Sequence, residues 1–146
     1  MTRVKERQGQ LAAIRKLPLN PKLNALLEAA AADAGIDEVV VFSGGQGTKA
    51  SGKPRTGSNR HDNGNAADLD LRIKGRILNF EVMADRAKVA AFVTACARRG
   101  ATGIGAAADY MGPTRLHVGF GAMAVWGAGG KSANAPQWLR NAFAAA

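Results

Sequence analysis

The chain has 146 residues, which is enough for one domain with its own core and too few for two, so we expect a single domain over residues 1–146. Lys and Arg number 20 against 11 Asp and Glu, and the resulting net charge of +9 favours an anionic partner. The single cysteine excludes an intrachain disulfide, and no apolar run approaches the roughly 20 residues of a membrane span.

The first 19 residues are basic and poorly patterned as far as Pro18, and we expect them to form an arm or a short edge element. They lack the apolar centre of a signal peptide, so we expect a protein made in the cytoplasm. Asn20 and Pro21 then supply a helix cap and a first helical residue. The stripe of Leu and Ala behind them predicts a helix that Gly35 ends.

Two stretches after that helix have contrasting patterns. Residues 38–42 are apolar on both faces, which predicts a buried strand that delivers Ser43 to its end. Residues 44–58 are rich in Gly, Ser, Thr, Lys and Pro without periodicity, which predicts a long exposed loop. Loops of this length inside compact domains often bind substrates, and three basic side chains on this one suit anionic groups: Lys49, Lys53 and Arg55.

The remainder alternates between strand and helix patterns. We predict a strand over 66–73, a turn at Lys74 and Gly75, and a returning segment over 76–80. A helix capped by Asp85 should then run to Arg99 and bury Cys96. A strand over 103–108, a turn over 109–114, an antiparallel strand over 115–120 and a last helix over 137–144 complete the chain. This order predicts an α+β fold in which helices cover one side of an antiparallel sheet.

The residues that carry chemistry surround the strand at 66–73. Its period of two places Asp68 and Asp70 on one face and the intervening leucines on the other. His61 lies in the loop before it, and Gly64 allows that loop to fold back so that His61 and Asp68 converge. An imidazole and a carboxylate held together are two ligands for zinc, which in catalytic sites takes three protein ligands and a water.

The third ligand has to come from elsewhere, and the chain has only one other histidine. His117 lies in the alternating segment 115–120, on the face opposite to Leu116, Val118 and Phe120. Two neighbouring strands would therefore present His61, Asp68 and His117 together as a zinc site. The plainer alternatives are a structural histidine at 117 and a solvated strand face at Asp68 and Asp70.

At these residues the sequence resembles the zinc peptidases that include D-alanyl-D-alanine carboxypeptidases, phage L-alanyl-D-glutamate endolysins and the hedgehog signalling domain. The likeness rests on His61-x-x-Gly64-x-Ala66-x-Asp68 and on the later strand that carries His117, and it covers roughly residues 37–121. Arg60-His61 and Ala66-Ala67-Asp68-Leu69 are closest to the phage branch, while residues 40–45 and 103–105 resemble segments leading to the ligands. The resemblance implies a hedgehog-like fold, a zinc cofactor and peptidoglycan as the substrate.

Two features depart from that family. Many relatives have an arginine for the substrate carboxylate where Gln46 stands, and a base close to the last ligand where Thr114 and Gly119 stand. We therefore take Asp109 as the candidate general base. Asp70 is the next candidate, although its spacing suits a residue that orients a histidine better. Arg60 and Gln46 would hold substrate or the tetrahedral oxyanion, with Ser43 beside them as a further substrate-binding residue.

Three classes of function remain. The first is a monomeric zinc peptidase that cuts a peptide bond in peptidoglycan, as an endopeptidase or a carboxypeptidase, and reaches the wall by holin-type release or phage delivery. The second is a zinc-stabilised wall-binding module that has lost catalysis. The third is a basic nucleic-acid-binding domain, which the sequence disfavours because it has no basic helix with base-reading side chains and no zinc-finger spacing.

Overall fold

A computed structural model describes residues 2–6 and 14–146 of the protein. Within them the chain forms seven strands and three α-helices. The strands are β1 (Val4–Glu6), β2 (Glu38–Ser43), β3 (Ala66–Ile73), β4 (Arg76–Ile77), β5 (Gly103–Gly105), β6 (Arg115–Gly119) and β7 (Ala124–Trp126). The helices are α1 (Pro21–Ala34), α2 (Met83–Arg98) and α3 (Gln137–Ala144). Residues 7–13 of the expected N-terminal arm lie outside the described part.

All seven strands belong to one sheet in the order β1-β2-β3-β6-β5-β7, with β4 paired to β3. The centre is antiparallel, as predicted, because β3 pairs in that sense with β2, β4 and β6, and β6 with β5. The two edges are parallel pairs, β1 with β2 and β5 with β7. The mostly antiparallel sheet and its helices confirm the α+β class, and the expectation of a purely antiparallel sheet is wrong at both edges.

The core lies on one face of this sheet. Alternate residues of the central strands enter it, among them Leu69 and Leu71 of β3 and Leu116 and Val118 of β6. Apolar residues of all three helices belong to the same core, so the helices cover this face. The strand residues between them, including Asp68, Asp70 and His117, face the other way, and the sheet therefore separates the core from the polar site.

The observed helix ends agree with the predicted ones for α1 and α3 and differ at the start of α2. The side chain of Asn20 accepts the N–H of Lys22 at 2.9 Å at the start of α1, and Gly35 ends that helix with φ of 70°. Helix α3 spans the predicted residues. Helix α2 begins two residues before the predicted cap, because Asp85 lies in its first turn and binds Arg76 and the N–H of Asn79 instead.

The short strands were predicted less well. Only residues 103–105 of the predicted strand 103–108 pair with β6, and only residues 76–77 of the segment 76–80 pair with β3. The edge strand β1 falls within the segment expected to form an arm or a short edge element, whereas β7 had no strand prediction. Among the described helices none is both long and apolar enough to cross a bilayer. Cys96 is buried in α2, where burial raises the pKa of its thiol, as expected of an unreactive core cysteine.

Candidate metal centre

The pairing of β3 with β6 brings two of the three expected ligands together. The antiparallel register places Asp68 directly opposite His117, and β2 places Ser43 beside Asp68 on the other side. Residues opposite each other in such a pair project to the same face of the sheet. The predicted alternation therefore places the carboxylate and the imidazole side by side on the face away from the core.

The third ligand, His61, is delivered by the loop before β3. This loop is closed by backbone hydrogen bonds from the N–H of Gln46 to the carbonyl of His61 and from the N–H of Asn63 to the carbonyl of Gln46, at 3.0 and 2.9 Å. Gly64 follows with φ of 74°, a left-handed conformation that favours glycine. The loop thus folds back over the sheet, as its glycine predicted.

A backbone carbonyl orients the His61 ring. Nδ1 of His61 lies 2.8 Å from the carbonyl oxygen of Gly44, which can only accept a hydrogen bond, so Nδ1 carries the proton. Nε2 is therefore the ring atom with a free lone pair, and it lies 3.5 Å from Oδ2 of Asp68. A histidine whose other nitrogen donates to a carbonyl is the arrangement found in protein metal sites.

The three side chains form a buried cluster of suitable size. Nδ1 of His117 lies 3.1 Å from Oδ1 of Asp68, the potential ligand atoms all lie within 4.8 Å of one another, and each residue is at most 6% exposed. Tetrahedral zinc with bonds of 2.0–2.1 Å separates its ligand atoms by about 3.3 Å. The contacts of Asp68 with His117 (3.1 Å) and with His61 (3.5 Å) are close to that separation, although each uses a different carboxylate oxygen. Two imidazoles and a carboxylate could therefore hold a metal ion here.

The protonation states also suit a metal site. Burial lowers the pKa of His61 to about 4, with the charges of His117 and Arg15 acting in the same direction, so the ring is neutral at pH 7. Burial opposes ionisation of Asp68, but the hydrogen bond from His117 and electrostatic attraction to the two histidines and Arg15 outweigh it and lower its pKa. A neutral imidazole and an ionised carboxylate are the forms that bind metals.

The two histidines of the cluster form part of the wall of a cavity of about 310 Å³. Polar and aromatic side chains surround the two histidines there: Arg15, Arg60, Tyr110 and Trp126. The Trp126 ring packs 4.9 Å from that of His117, and its indole N–H donates to the hydroxyl of Tyr110 at 3.1 Å. A side chain at Gly105 would collide with the indole, so the glycine in β5 makes room for Trp126.

The expected substrate-binding residues lie in different surroundings. Arg60 lines the cavity and stacks over Trp126 at 4.4 Å, while its guanidinium donates to the carbonyls of Phe120 and Ala122. Burial lowers the pKa of this guanidinium. Ser43 is buried next to Asp68 in the sheet, and its hydroxyl has no hydrogen-bond partner in the described part of the chain.

Gln46 and Arg55 are engaged in the loop instead of facing a ligand. The amide of Gln46 is fully buried, donates to Ser58 and Asp62 and accepts twice from Thr56. Arg55 donates to both oxygens of Asp62 at 2.7 and 2.8 Å. These contacts engage both the donors and the acceptor of the Gln46 amide in holding the loop, and its expected role in substrate binding stays a prediction. Lys49 and Lys53 remain exposed on this loop.

The two candidate bases are not at the cluster. Asp70 accepts hydrogen bonds from Arg115 and from the hydroxyl of Thr114, at 3.2–3.3 Å, and not from a histidine. Asp70 was expected to orient a histidine, but the His61 ring is oriented by the Gly44 carbonyl instead. Asp109 is exposed on the turn after β5 and is not among the cavity-lining residues. A side chain at Gly119 would collide with Asn65 and Ala66, so that position has no space for a base.

Sequence reasoning missed three residues of the cavity: Arg15, Tyr110 and Trp126. Arg15 lies in the segment expected to be an arm, 53 positions before the carboxylate it contacts, and no local pattern predicts such a contact. The two aromatic residues had a weak signal, since each follows a short apolar stretch next to glycines. Comparisons with protein-family models, with curated proteins and with solved structures found no match.

Proposed function

We propose that the protein is a zinc-dependent peptidase that hydrolyses a peptide bond in peptidoglycan, with the sheet and ligand arrangement of the hedgehog and D-alanyl-D-alanine peptidase family. The observation that supports this proposal is the buried His61–Asp68–His117 cluster, whose two histidines line a cavity. Three protein ligands with two nitrogens and one oxygen are typical of catalytic zinc, which keeps a further position open.

The ligands have distinct tasks in this proposal. Nε2 of His61 and the carboxylate of Asp68 bind the ion together with His117, and the Gly44 carbonyl holds the His61 ring in place. Zinc, when bound, supplies a Lewis acid that lowers the pKa of water toward ~7 and polarises a peptide carbonyl. The sheet fixes Asp68 and His117 through their direct pairing, so the site is built on rigid elements.

Tyr110 is the group best suited to hold the negative oxygen that develops on the substrate carbonyl. Its hydroxyl accepts a hydrogen bond from Trp126, so its own proton is free to donate. No acceptor for that proton occurs among the described hydrogen bonds, and the residue lines the cavity with both histidines. A donor placed in advance at such a position stabilises the charge without reorganisation.

The charge of the molecule supports a wall polymer as substrate. A net charge of +9 attracts an anionic polymer, and Lys49 and Lys53 are exposed on the loop beside the site. The substrate would then lie outside the cell membrane, and we propose that the enzyme reaches it by holin-type release or in a phage particle. The bond cleaved would belong to a peptide stem or crosslink.

A wall-binding module that keeps zinc and lacks hydrolysis is the second candidate, and one observation favours it. Within residues 2–6 and 14–146, the cavity lining contains no carboxylate that could act as a general base. A hydrolytic zinc enzyme needs such a group within hydrogen-bond reach of the water or one water further away. Zinc would then stabilise the fold by holding β3, β6 and the His61 loop together.

One combined measurement separates the two candidates. The purified protein is analysed for zinc and then incubated with isolated walls, while soluble peptide fragments are identified by mass spectrometry. We expect about one zinc per chain and released stem peptides. The variants His117→Ala and Asp68→Asn should lose both, and the control Glu81→Gln, which changes an exposed carboxylate outside the cavity, should lose neither.

The outcomes assign the function. Zinc with wall binding and no released peptide would establish the module and reject the peptidase. A protein that holds no zinc after purification in zinc-containing buffer would reject both.

A further inference from the structure

Arg15 contacts one of the two carboxylate oxygens of Asp68, the one that also approaches His61. Its Nη1 lies 3.3 Å from Oδ2 of Asp68, and the same oxygen lies 3.5 Å from Nε2 of His61. The backbone of Arg15 is fixed to the edge of the site, since the N–H of Gly44 donates to its carbonyl at 2.7 Å and Leu17 pairs with Gly45. The guanidinium is thus held beside one of the two oxygens with which Asp68 could bind a metal ion.

The ion pair between Arg15 and Asp68 has a geometry that another cation could replace. It is a single long hydrogen bond, whereas Arg76 and Asp85 form two bonds of 2.7 and 2.9 Å. The other end of the guanidinium donates to Thr56, and its Nε is buried without a partner among the described residues. A monodentate pair has less geometric specificity than a bidentate one. Asp68 therefore holds Arg15 weakly although both side chains are largely buried.

A dication and a guanidinium cannot share one carboxylate oxygen at low cost. A divalent ion bound by Asp68, His61 and His117 would lie next to the Arg15 charge, and like charges at such separations repel strongly in a buried setting. Oδ2 of Asp68 is approached by both His61 and Arg15, so an ion bound between His61 and Asp68 would compete with the guanidinium for this oxygen. Binding of the ion would displace the guanidinium toward the cavity that Arg15 already lines.

We propose that Arg15 is the internal counter-ion of the metal-free site, which a bound divalent ion displaces from Asp68 so that its guanidinium can take a carboxylate that enters the cavity. The displacement of Arg15 from Asp68 requires only that the site binds a metal ion. That the incoming carboxylate belongs to a substrate rests on the proposed function. Metal and carboxylate are then coupled ligands, and each raises the affinity of the protein for the other.

The first test measures zinc affinity by competition with a chromophoric chelator. Arg15→Gln should bind zinc about tenfold more tightly than the unmodified protein, because Asp68 no longer has to release a cation. Its metal-free form should melt at a lower temperature, because the buried carboxylate has lost its counter-ion. The control Arg99→Gln removes the same charge from an exposed pair with Asp33 and should leave zinc affinity within twofold, a change of about 0.4 kcal/mol or less.

A second test measures the coupling to a carboxylate. Replacing sodium chloride by sodium acetate at constant ionic strength should tighten zinc binding by the unmodified protein and not by Arg15→Gln. Equal tightening in both proteins would mean that acetate binds the ion directly, and this result would overturn the coupling. If Arg15→Gln does not fold, Arg15→Lys replaces it in both tests, since lysine keeps the charge without the guanidinium fork and should tighten zinc binding by a smaller factor.

The results distinguish this inference from the proposed function. Weaker or unchanged zinc binding by Arg15→Gln would show that Arg15 supports the site instead of competing for it, and only the inference would be rejected. If the unmodified protein binds no zinc, the inference and the proposed function are both rejected.

Discussion

Each oxygen of Asp68 meets a different histidine, and one of them also meets an arginine. Oδ1 faces His117, while Oδ2 faces His61 and Arg15. The carboxylate therefore connects β6, the loop before β3 and the N-terminal segment at one point. An amide at this position would carry no charge and would present an N–H₂ group to at least one of these partners, so the role of Asp68 depends on its ionised form.

Tyr110 offers the sharpest test of catalysis at the scale of a single residue. Tyr110→Phe removes only the hydroxyl that Trp126 binds, so zinc content and folding should be unchanged. Loss of a donor to the developing oxyanion should lower the rate of wall hydrolysis by about 10²-fold, with a smaller effect on KM. The measurement is release of stem peptides at saturating wall concentration. Full activity of the variant would show that the hydroxyl does not touch the reacting carbonyl.

Asp109 is the natural comparison, because it is the neighbour of Tyr110 on the same turn. Its side chain is exposed and does not line the cavity, so Asp109→Asn should keep hydrolysis within about threefold of the unmodified protein, far from the 10²-fold or larger loss of a general base. The assay is the same as for Tyr110→Phe. A 10²-fold loss with unchanged zinc content would instead show that the turn closes over the metal during the reaction.

At the scale of elements, the loop before β3 depends on a glycine that is packed against backbone. A Cβ on Gly64 would lie 2.5 Å from the carbonyl oxygen of Pro18 and would also collide with the N–H of Asn20. Its φ of 74° adds the cost of a left-handed conformation. Gly64→Ala should therefore lower the free energy of unfolding by about 3 kcal/mol, the sum of overpacking and backbone strain.

Gly75 provides the matched control for that substitution. It has nearly the same φ, 76°, but a Cβ there would meet open space. Gly75→Ala should cost only the backbone term, about 1 kcal/mol, and should keep zinc. Urea unfolding of both variants gives the comparison, and equal losses would contradict the view that close packing of the loop positions His61.

The ion pair between Arg76 of β4 and Asp85 of α2 predicts that the stability of the fold depends on pH. The hydrogen bonds from Arg76, then from the N–H of Asn79, lower the pKa of Asp85. A carboxyl whose pKa is lower in the folded state stabilises it above the unfolded pKa of about 3.9, and this contribution is lost as the pH falls through the folded value. Asp85→Asn should thus lower the free energy of unfolding by about 1 kcal/mol at pH 7, since Arg76 is largely exposed.

That difference should shrink as the pH falls through the lowered pKa of Asp85 in the folded state, and it should disappear once Asp85 is protonated in both states. Asp33→Asn is the control, because both members of the Asp33–Arg99 pair are nearly half exposed and their contribution should be hardly measurable. Urea unfolding at a series of pH values checks both variants. A constant difference between Asp85→Asn and the unmodified protein at all pH values would exclude the carboxylate charge as its cause.

Local patterns predicted the elements that carry the ligands, and long-range contacts set the rest of the site. The alternation of residues 66–71 places Asp68 and Leu69 on different faces of the sheet. The cap at Asn20 and the glycine at Gly35 mark the two ends of α1. The partner of Asp70 could not be predicted, because Arg115 is 45 positions away and the same spacing rules would equally allow a histidine. Strands of two or three residues, such as β4 and β7, are too short for a period to be visible.

At the scale of the whole molecule, one sheet collects the site from distant parts of the chain. Arg15, His61, Asp68, Tyr110 and His117 span more than a hundred positions, yet all lie on or beside the face opposite to the helices. The core on the other face fixes the register, because a shift of one residue between β3 and β6 would move Leu69 and Leu116 out of it. The packing of the helices thus holds the ligands in place without touching them.

The net charge of +9 predicts that binding to the wall depends on salt. The screening length falls from ~10 Å at 0.1 M to ~3 Å at 1 M salt, so the apparent affinity for isolated walls should fall by about tenfold or more over this range. Asp68→Asn, which should not hydrolyse the walls, makes the binding measurable at equilibrium by sedimentation. Chitin is the control, because this uncharged polymer should bind the protein weakly at every salt concentration. Wall binding that does not change with salt would mean that the positive charge is not what attracts the protein to its partner.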